Sequence, residues 1–347
     1  MAITVREFGV TKSGEKASLY TMTNENGMRV SVSDYGATLV SVLVPDKAGQ
    51  MADVVLGYDD VAEYEEKAGH FGATVGRNAN RIAGAAFLLG GRRIQLSTAG
   101  GINNLHSGPD YYGKRFWEAQ AEEGSLGSSV EFSLFSPDGD QGFPGNADIT
   151  VVYTLTADNA LMISYHGVCD QDTVMNMTNH SYFNLAGHDS GTVLDQEIWL
   201  DSDYFTAADE ASIPTGEIRP VKGTPMDFTV PKPIGRDIGA EYDALIFGKG
   251  YDHNWVLKTD GEQKLVARLT DPVSGRVMEV YTDLPGVQIY TGNFVDTVGK
   301  NGAKYDARSG VCFETQYYPD SVNKPEFPSP VVKAGEEYDT VTVYKFL

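Results

Sequence analysis

Apolar and polar positions alternate along this chain in short bursts rather than in helical stripes. Runs rich in Val, Ile, Thr, Tyr and Phe recur between turn residues, and each predicts a strand. They cover Met28–Asp34, Ala37–Val44, Val130–Phe135, Ile149–Leu155, Leu161–Val168, Leu265–Thr270, Val277–Thr282, Val287–Thr291 and Val341–Phe346. Gly, Pro, Asn and Asp fill the gaps, as in Pro137-Asp138-Gly139-Asp140, and Ala157-Asp158-Asn159-Ala160 predicts a tight hairpin. Helical signal is sparse. Its best instance is Asp59–Lys67, where acidic residues at the start suit the helix dipole. With no alternation of strands and helices, a parallel sheet is excluded as the expectation. The pattern predicts an all-β fold, a large antiparallel β-sandwich with very little helix. No linker composition interrupts the chain, so residues 1–347 are expected to form one domain, with Pro319–Pro330 an extended, ordered loop.

Polar residues break this pattern at informative places. If Val174–Leu185 is one half-buried strand, Asn176, Thr178, His180, Tyr182 and Asn184 share a face. A solvated face usually carries Lys and Glu; this set of hydrogen-bonding groups suits a cleft for a neutral polyol. In Val311–Tyr317, Glu314 shares a face with Cys312 and Gln316 and has no nearby basic residue in sequence. Gln288 and Tyr290 point one way from the strand that follows Pro285-Gly286. His106 lies in a turn, Asn103–Gly108, and Asp252 stands close to Trp255. Each of these residues, taken alone, is more commonly a solvated or structural side chain.

Other chemistries lack their signatures. The six histidines form no HxH or HExxH spacing. The glycines of residues 72–82 lack the Gly-Lys-Ser/Thr of a phosphate loop, and no GxSxG elbow marks a nucleophilic serine. Composition narrows the partners further. The net charge of −21 leaves no basic face for nucleic acid. No apolar run reaches the roughly 18 residues of a membrane helix. Two cysteines, Cys169 and Cys312, and an N-terminus without a basic-then-apolar leader favour a reducing, cytoplasmic setting.

Read together, six segments resemble the galactose mutarotase (aldose 1-epimerase) family. They are GATVGRNANRIAGAAF (72–87), NNLHSG (103–108), NMTNHSYFNLAG (176–187), GYDHNWVL (250–257), LPGVQIYTGNF (284–294) and CFETQYYPDSVNKPEFPSPVVKAGEEY (312–338). The resemblance implies a mutarotase-like supersandwich with an open sugar cleft and no cofactor or metal. It implies that Glu314 is the general base, His180 the general acid and His106 a second active-site histidine. It also implies that Arg81, Asn80, Asp252 and Gln288 contact the sugar. The implied reaction interconverts the α and β anomers of free aldoses, D-galactose first and D-glucose also. The expected partner is that small sugar, and the expected state is a monomer or homodimer. The chain departs from the family pattern at Asn78, often Tyr, at Ser107, often Gly, and at Tyr112–Arg115, where the family often reads Gly-Phe-Asp-Lys. The competing readings are a sugar-binding module without catalysis, a glycoside hydrolase using Asp252 and Glu314, and a relative acting on hexose 6-phosphates. The last would need cations beyond Arg77 and Arg81.

Overall fold

Period-two alternation sends successive side chains to opposite faces of a strand, and here it gives two sheets with a shared apolar filling. The computed structural model describes residues 2–67 and 69–347. The larger sheet has nine antiparallel strands. In spatial order they are Glu118–Glu123, Gly127–Ser136, Ala147–Thr156, Ala160–Cys169, Glu337–Phe346, Val277–Thr282, Lys264–Thr270, Glu197–Leu200 and Lys232–Pro233. A six-stranded antiparallel sheet runs Tyr182–Phe183, Val311–Gln316, Gly286–Tyr290, Asp252–Val256, Tyr204–Ala208 and Pro214–Pro220. A five-stranded meander, from Ala2–Val10 to Met51–Asp53, packs beside them. The fold is therefore the expected antiparallel sandwich.

The strand Val311–Gln316 shows why the layers stay together. Val311 and Phe313 are fully buried and face the large sheet. There the Tyr344 hydroxyl donates to the Phe313 carbonyl at 2.9 Å, and the hydroxyls of Thr315 and Thr342 meet at 2.5 Å. Each fully buried apolar side chain of this size contributes roughly 1.5–3 kcal/mol. One buried cluster draws residues from Met22 to Phe346, and on that ground we propose that the chain folds as a single domain.

Local chemistry follows the sequence in most turns. Between Ala147–Thr156 and Ala160–Cys169, Asn159 takes a left-handed φ of 62°, and the Thr156 hydroxyl donates to Asp158 at 2.6 Å. The predicted helix is present as Val61–Glu66, capped by Asp60, whose carboxylate accepts the Glu63 N–H at 3.0 Å. A second short helix, Asp243–Gly248, was not anticipated; its N-terminus has no side-chain cap to announce it.

The expected continuous strand over Val174–Leu185 is corrected. Only Thr173–Val174, Thr178–Asn179 and Tyr182–Phe183 are extended pairs, and they pair with three different partners. Asn176 and Asn184 are consumed by backbone groups: the Asn176 carboxamide receives the Tyr317 N–H at 2.9 Å, and Asn184 donates to the carbonyls of Gly191 and Ser309. Of the supposed polyol face, His180 and Tyr182 reach the cleft described next.

Candidate active site

Register places the chemistry on the side of the six-stranded sheet that faces away from the large one. Glu314 pairs with Gln288, and Gln288 with Asn254. Cys312 pairs with Tyr290 and with Tyr182, and Tyr290 with Asp252. Paired residues project to the same face, so these side chains form one polar field. It floors a cleft of about 340 Å³, a volume suited to a small ligand.

The walls come from segment 70–82 and the turn at 103–108. Gly72 donates its N–H to the His180 carbonyl at 3.0 Å, and His180 donates its own N–H to the Ala73 carbonyl at 2.9 Å. Gly72 is required there. Its φ is +65°, and a Cβ would lie 1.8 Å from the Leu39 carbonyl oxygen. The strand pair Arg81–Ile82 with Asn104–Leu105 then sets His106 beside Asn80. The loop after Gln316 supports this wall: Asp320 donates its N–H to the Arg81 carbonyl at 2.8 Å and accepts the Ala83 N–H at 2.9 Å.

Two of the departures from the family pattern meet here. The Ser107 hydroxyl accepts the Asn78 N–H at 2.7 Å and donates to the Asn78 carbonyl at 3.0 Å. A glycine at 107 has no such group.

Glu314, His180, His106, Arg81, Asn80 and Asp252 all line the cleft. His180 Nε2 lies 3.6 Å from Glu314 Oε2, and that oxygen is buried without a hydrogen-bond partner among the described residues. Gln288 is the exception. It lies beneath the lining and donates to Asp252 Oδ1 at 2.7 Å, so it holds a cleft residue instead of facing the cleft. The amides and charges close into a ring. Asn80 donates to Gln316 at 3.4 Å and Gln316 to Gln288 at 3.3 Å. Beyond Gln288 and Asp252, Arg81 Nη2 stands 3.7 Å from Asp252 Oδ2, and Arg81 Nη1 donates to Asn80 Oδ1 at 3.4 Å. A satisfied network of this kind fixes orientation, because each member has partners to lose.

Burial decides the protonation. It pushes the Glu314 carboxyl well above its ordinary value; Asp252 adds to the rise and Arg81 opposes it. Burial lowers His180 to about 3, with His70 contributing, and it lowers His106 well below the ordinary range. The imidazolium–carboxylate pair expected at short range is thus opposed by desolvation, which favours neutral imidazole and neutral carboxyl. Both arrangements hold one proton between the two side chains.

His106, His180 and Glu314 bring one donor atom each within 4.8 Å of one another, a spacing a divalent cation could use. The local bonding opposes that use. Asn80 donates its N–H to His106 Nδ1 at 3.1 Å, so Nε2 carries the hydrogen and cannot offer a lone pair. The set fits proton transfer better than metal binding. Arg77 is removed from the substrate side as well. It is buried, and its guanidinium donates to the Pro144, Gly145 and Ser136 carbonyls and to the hydroxyls of Ser136 and Thr173. Arg81 is then the only Lys or Arg among the described residues lining the cleft, and Asp252 and Asp296 line it too.

The sequence reading missed His70, Tyr290, Phe294 and Gln316. His70 and Phe294 sit in irregular segments with no periodic pattern. Tyr290 and Gln316 were visible by alternation, since they share faces with Gln288 and Glu314. His188, His253 and His166 are structural: they meet Tyr305, the packed Phe205 and Trp255 rings, and Asp339 respectively.

The family described as aldose 1-epimerase matches residues 18–345. Galactose mutarotase from Homo sapiens is 41% identical over 347 residues, covering 99% of this chain and 98% of that protein. Aldose 1-epimerase from Escherichia coli is 38% identical over 338 residues, covering 96% of each. Among solved structures, galactose 1-epimerase from Lactobacillus acidophilus superposes with a TM-score of 0.88 at 26% identity, covering 100% of this chain and 99% of that one. The GalM/aldose epimerase homologue from C. elegans gives 0.86 at 31% identity, covering 95% and 99%.

Proposed function

The chain belongs to the aldose 1-epimerase family and is an isomerase that interconverts the α and β anomers of free aldoses, and we propose that Glu314 and His180 carry the proton transfers with D-galactose as the main substrate and D-glucose a second one. The observation that supports this assignment is the 3.6 Å approach of His180 Nε2 to an unpartnered Glu314 oxygen inside the cleft.

Ring opening needs a base at the C1 hydroxyl and an acid at the ring oxygen. Glu314 as carboxylate takes the O1 proton while the C1–O5 bond breaks. His180 as imidazolium delivers a proton to O5. The free aldehyde turns about C1–C2 and recloses on its other face with both transfers reversed. The pair holds one proton at the start and one at the end, so the cycle draws none from solvent. Burial opposes the charged form of the pair, and two features counter it: the Arg81 guanidinium, which lowers Glu314, and the sugar hydroxyls themselves. Each positioned proton-transfer group contributes roughly 10²–10⁴-fold. His106, held as the Nε2–H tautomer, is a neutral donor for the oxygen that develops charge. Arg81, Asn80 and Asp252 orient hydroxyls, and Gln288 acts through Asp252.

With Arg81 matched by Asp252 and Asp296, the cleft favours a neutral sugar over a hexose 6-phosphate. The chain is proposed to work in a reducing compartment such as the cytoplasm, consistent with two buried free thiols, as a monomer or homodimer. Polarimetry of freshly dissolved α-D-galactose tests the assignment. The wild-type protein is expected to speed the decay of rotation and Glu314→Gln to abolish nearly all of that gain. Near wild-type turnover by a folded Glu314→Gln protein would refute the base.

A further inference from the structure

The proton-transfer scheme leaves His70 unused, although it lines the cleft. The residue follows the short helix Val61–Glu66 and takes a left-handed backbone, φ 55°, pinned where its carbonyl accepts the Ala73 N–H at 3.0 Å. That turn sends its ring toward the other two cleft histidines. The His70 ring centroid is 5.6 Å from that of His180, with planes 23° apart, and 5.2 Å from that of His106. Tyr111 approaches it at 5.0 Å. Tyr182 is the other near-parallel neighbour of His180, at 5.0 Å and 24°. Aromatic contact, and no hydrogen bond to its ring among the described residues, places His70.

The His180 ring is held weakly at its edges. Nδ1 meets the Cys312 sulfur at 3.5 Å, and Nε2 stands 3.6 Å from Glu314. Neither contact fixes the tilt of the ring plane, whereas flanking rings do. A proton donor must be held within about 0.5 Å of its working geometry, by neighbours whose own positions are fixed. His70 meets that condition through Tyr111, His106 and its pinned backbone.

We infer that His70 is a positioning residue, whose ring packs along His180 and keeps Nε2 aimed at Glu314 and the sugar ring oxygen. The inference rests on His180 being the acid. Its alternative is a direct hydrogen bond from His70 to a sugar hydroxyl, and the two differ in which property of the side chain matters. A ring without nitrogens preserves the packing. An amide without a ring preserves the hydrogen bond.

The test measures kcat and KM for galactose by polarimetry for His70→Ala, His70→Phe and His70→Asn, with His180→Asn alongside and circular dichroism on each protein. All three replacements keep a Cβ, so the left-handed backbone at position 70 gains little new strain. His70→Ala is expected to lower kcat roughly tenfold with KM nearly unchanged, because a small misplacement of a reacting group already costs that much. His70→Phe should recover most of the loss and His70→Asn little of it. An unchanged kcat in His70→Ala overturns the inference. So does a change in KM alone, or recovery by Asn and not by Phe. If His70→Ala does not fold, the comparison of Phe with Asn carries the same decision. Retained activity in His180→Asn would instead overturn the acid assignment, and the inference with it.

Discussion

The backbone N–H of Asn80 ends on Nδ1 of His106, 3.1 Å away, and the N–H of His106 returns to the Asn80 carbonyl at 2.9 Å. This reciprocal pair fixes the imidazole as a neutral donor at Nε2. Replacement by another neutral donor should therefore cost less than replacement by a hydrocarbon. His106→Leu is expected to reduce kcat by about 10²-fold or more, the usual loss for one donor to a developing oxyanion, and His106→Gln clearly less. Equal losses in the two variants, read by polarimetry at saturating galactose, would contradict a donor role.

Glu314 should also limit stability. In the unfolded chain its carboxyl titrates near the ordinary 4.5, while burial holds the folded value well above. Folding then favours the protonated carboxyl, so stability is full below about pH 4.5 and falls as pH rises through the folded value. Glu314→Gln removes that cost. It should melt roughly 1–4 °C above wild type near pH 7, with the gap closing near pH 4.5. A Gln variant that melts lower than wild type at pH 7 would show that the carboxyl is not under this strain.

His180 and Asp252 have unequal duties. His180 faces Glu314 at 3.6 Å, whereas Asp252 is bonded to Gln288 and paired with Arg81. His180→Asn is expected to lower kcat far more than Asp252→Ala, whose main effect should fall on KM. Comparable kcat values for the two would remove the acid role.

Gln288 offers a test of the polar ring. Gln288→Leu leaves the half-buried Asp252 Oδ1 without its amide donor and takes from Gln316 Nε2 one of its two acceptors, Asn254 Oδ1 remaining at 3.2 Å. One orphaned group of this kind costs roughly 1–3 kcal/mol. The variant should lose stability on that scale in urea denaturation, and its KM should rise more than its kcat falls. A KM equal to that of wild type would mean that Asp252 holds its place without Gln288.

Sequence carried the strands well where an apolar face opposes a polar one. The run Val311–Gln316 alternates Val311 and Phe313 toward the large sheet with Glu314 and Gln316 on the opposite face, where Glu314 reaches the cleft, and alternation reads such a pattern directly. It misread Val174–Leu185, because three short extended pieces with different partners carry the same alternation as one strand. The six cleft residues became legible through motifs, since each sits in a segment whose neighbours are also constrained. The resemblance set Gln288 among the sugar contacts, whereas its amide lies beneath the lining and is bonded to Asp252: a motif gives a residue's place in the chain but not its depth. His70 left no signal at all. Its position depends on a left-handed turn and on rings from 36 to 110 residues away in the chain.

The strand Glu337–Phe346 stands fifth in the order of nine, between Ala160–Cys169 and Val277–Thr282. On a ribosome the first four of those strands emerge as a consecutive meander, and the other four follow as a separate group. Only the last-made strand can join the two. At roughly 5–20 residues per second, the open edge of Ala160–Cys169 waits on the order of ten seconds or more for its neighbour. Nascent chains stalled before residue 337 should therefore present two half-sheets with raw edges, the form in which strand proteins recruit chaperones or each other.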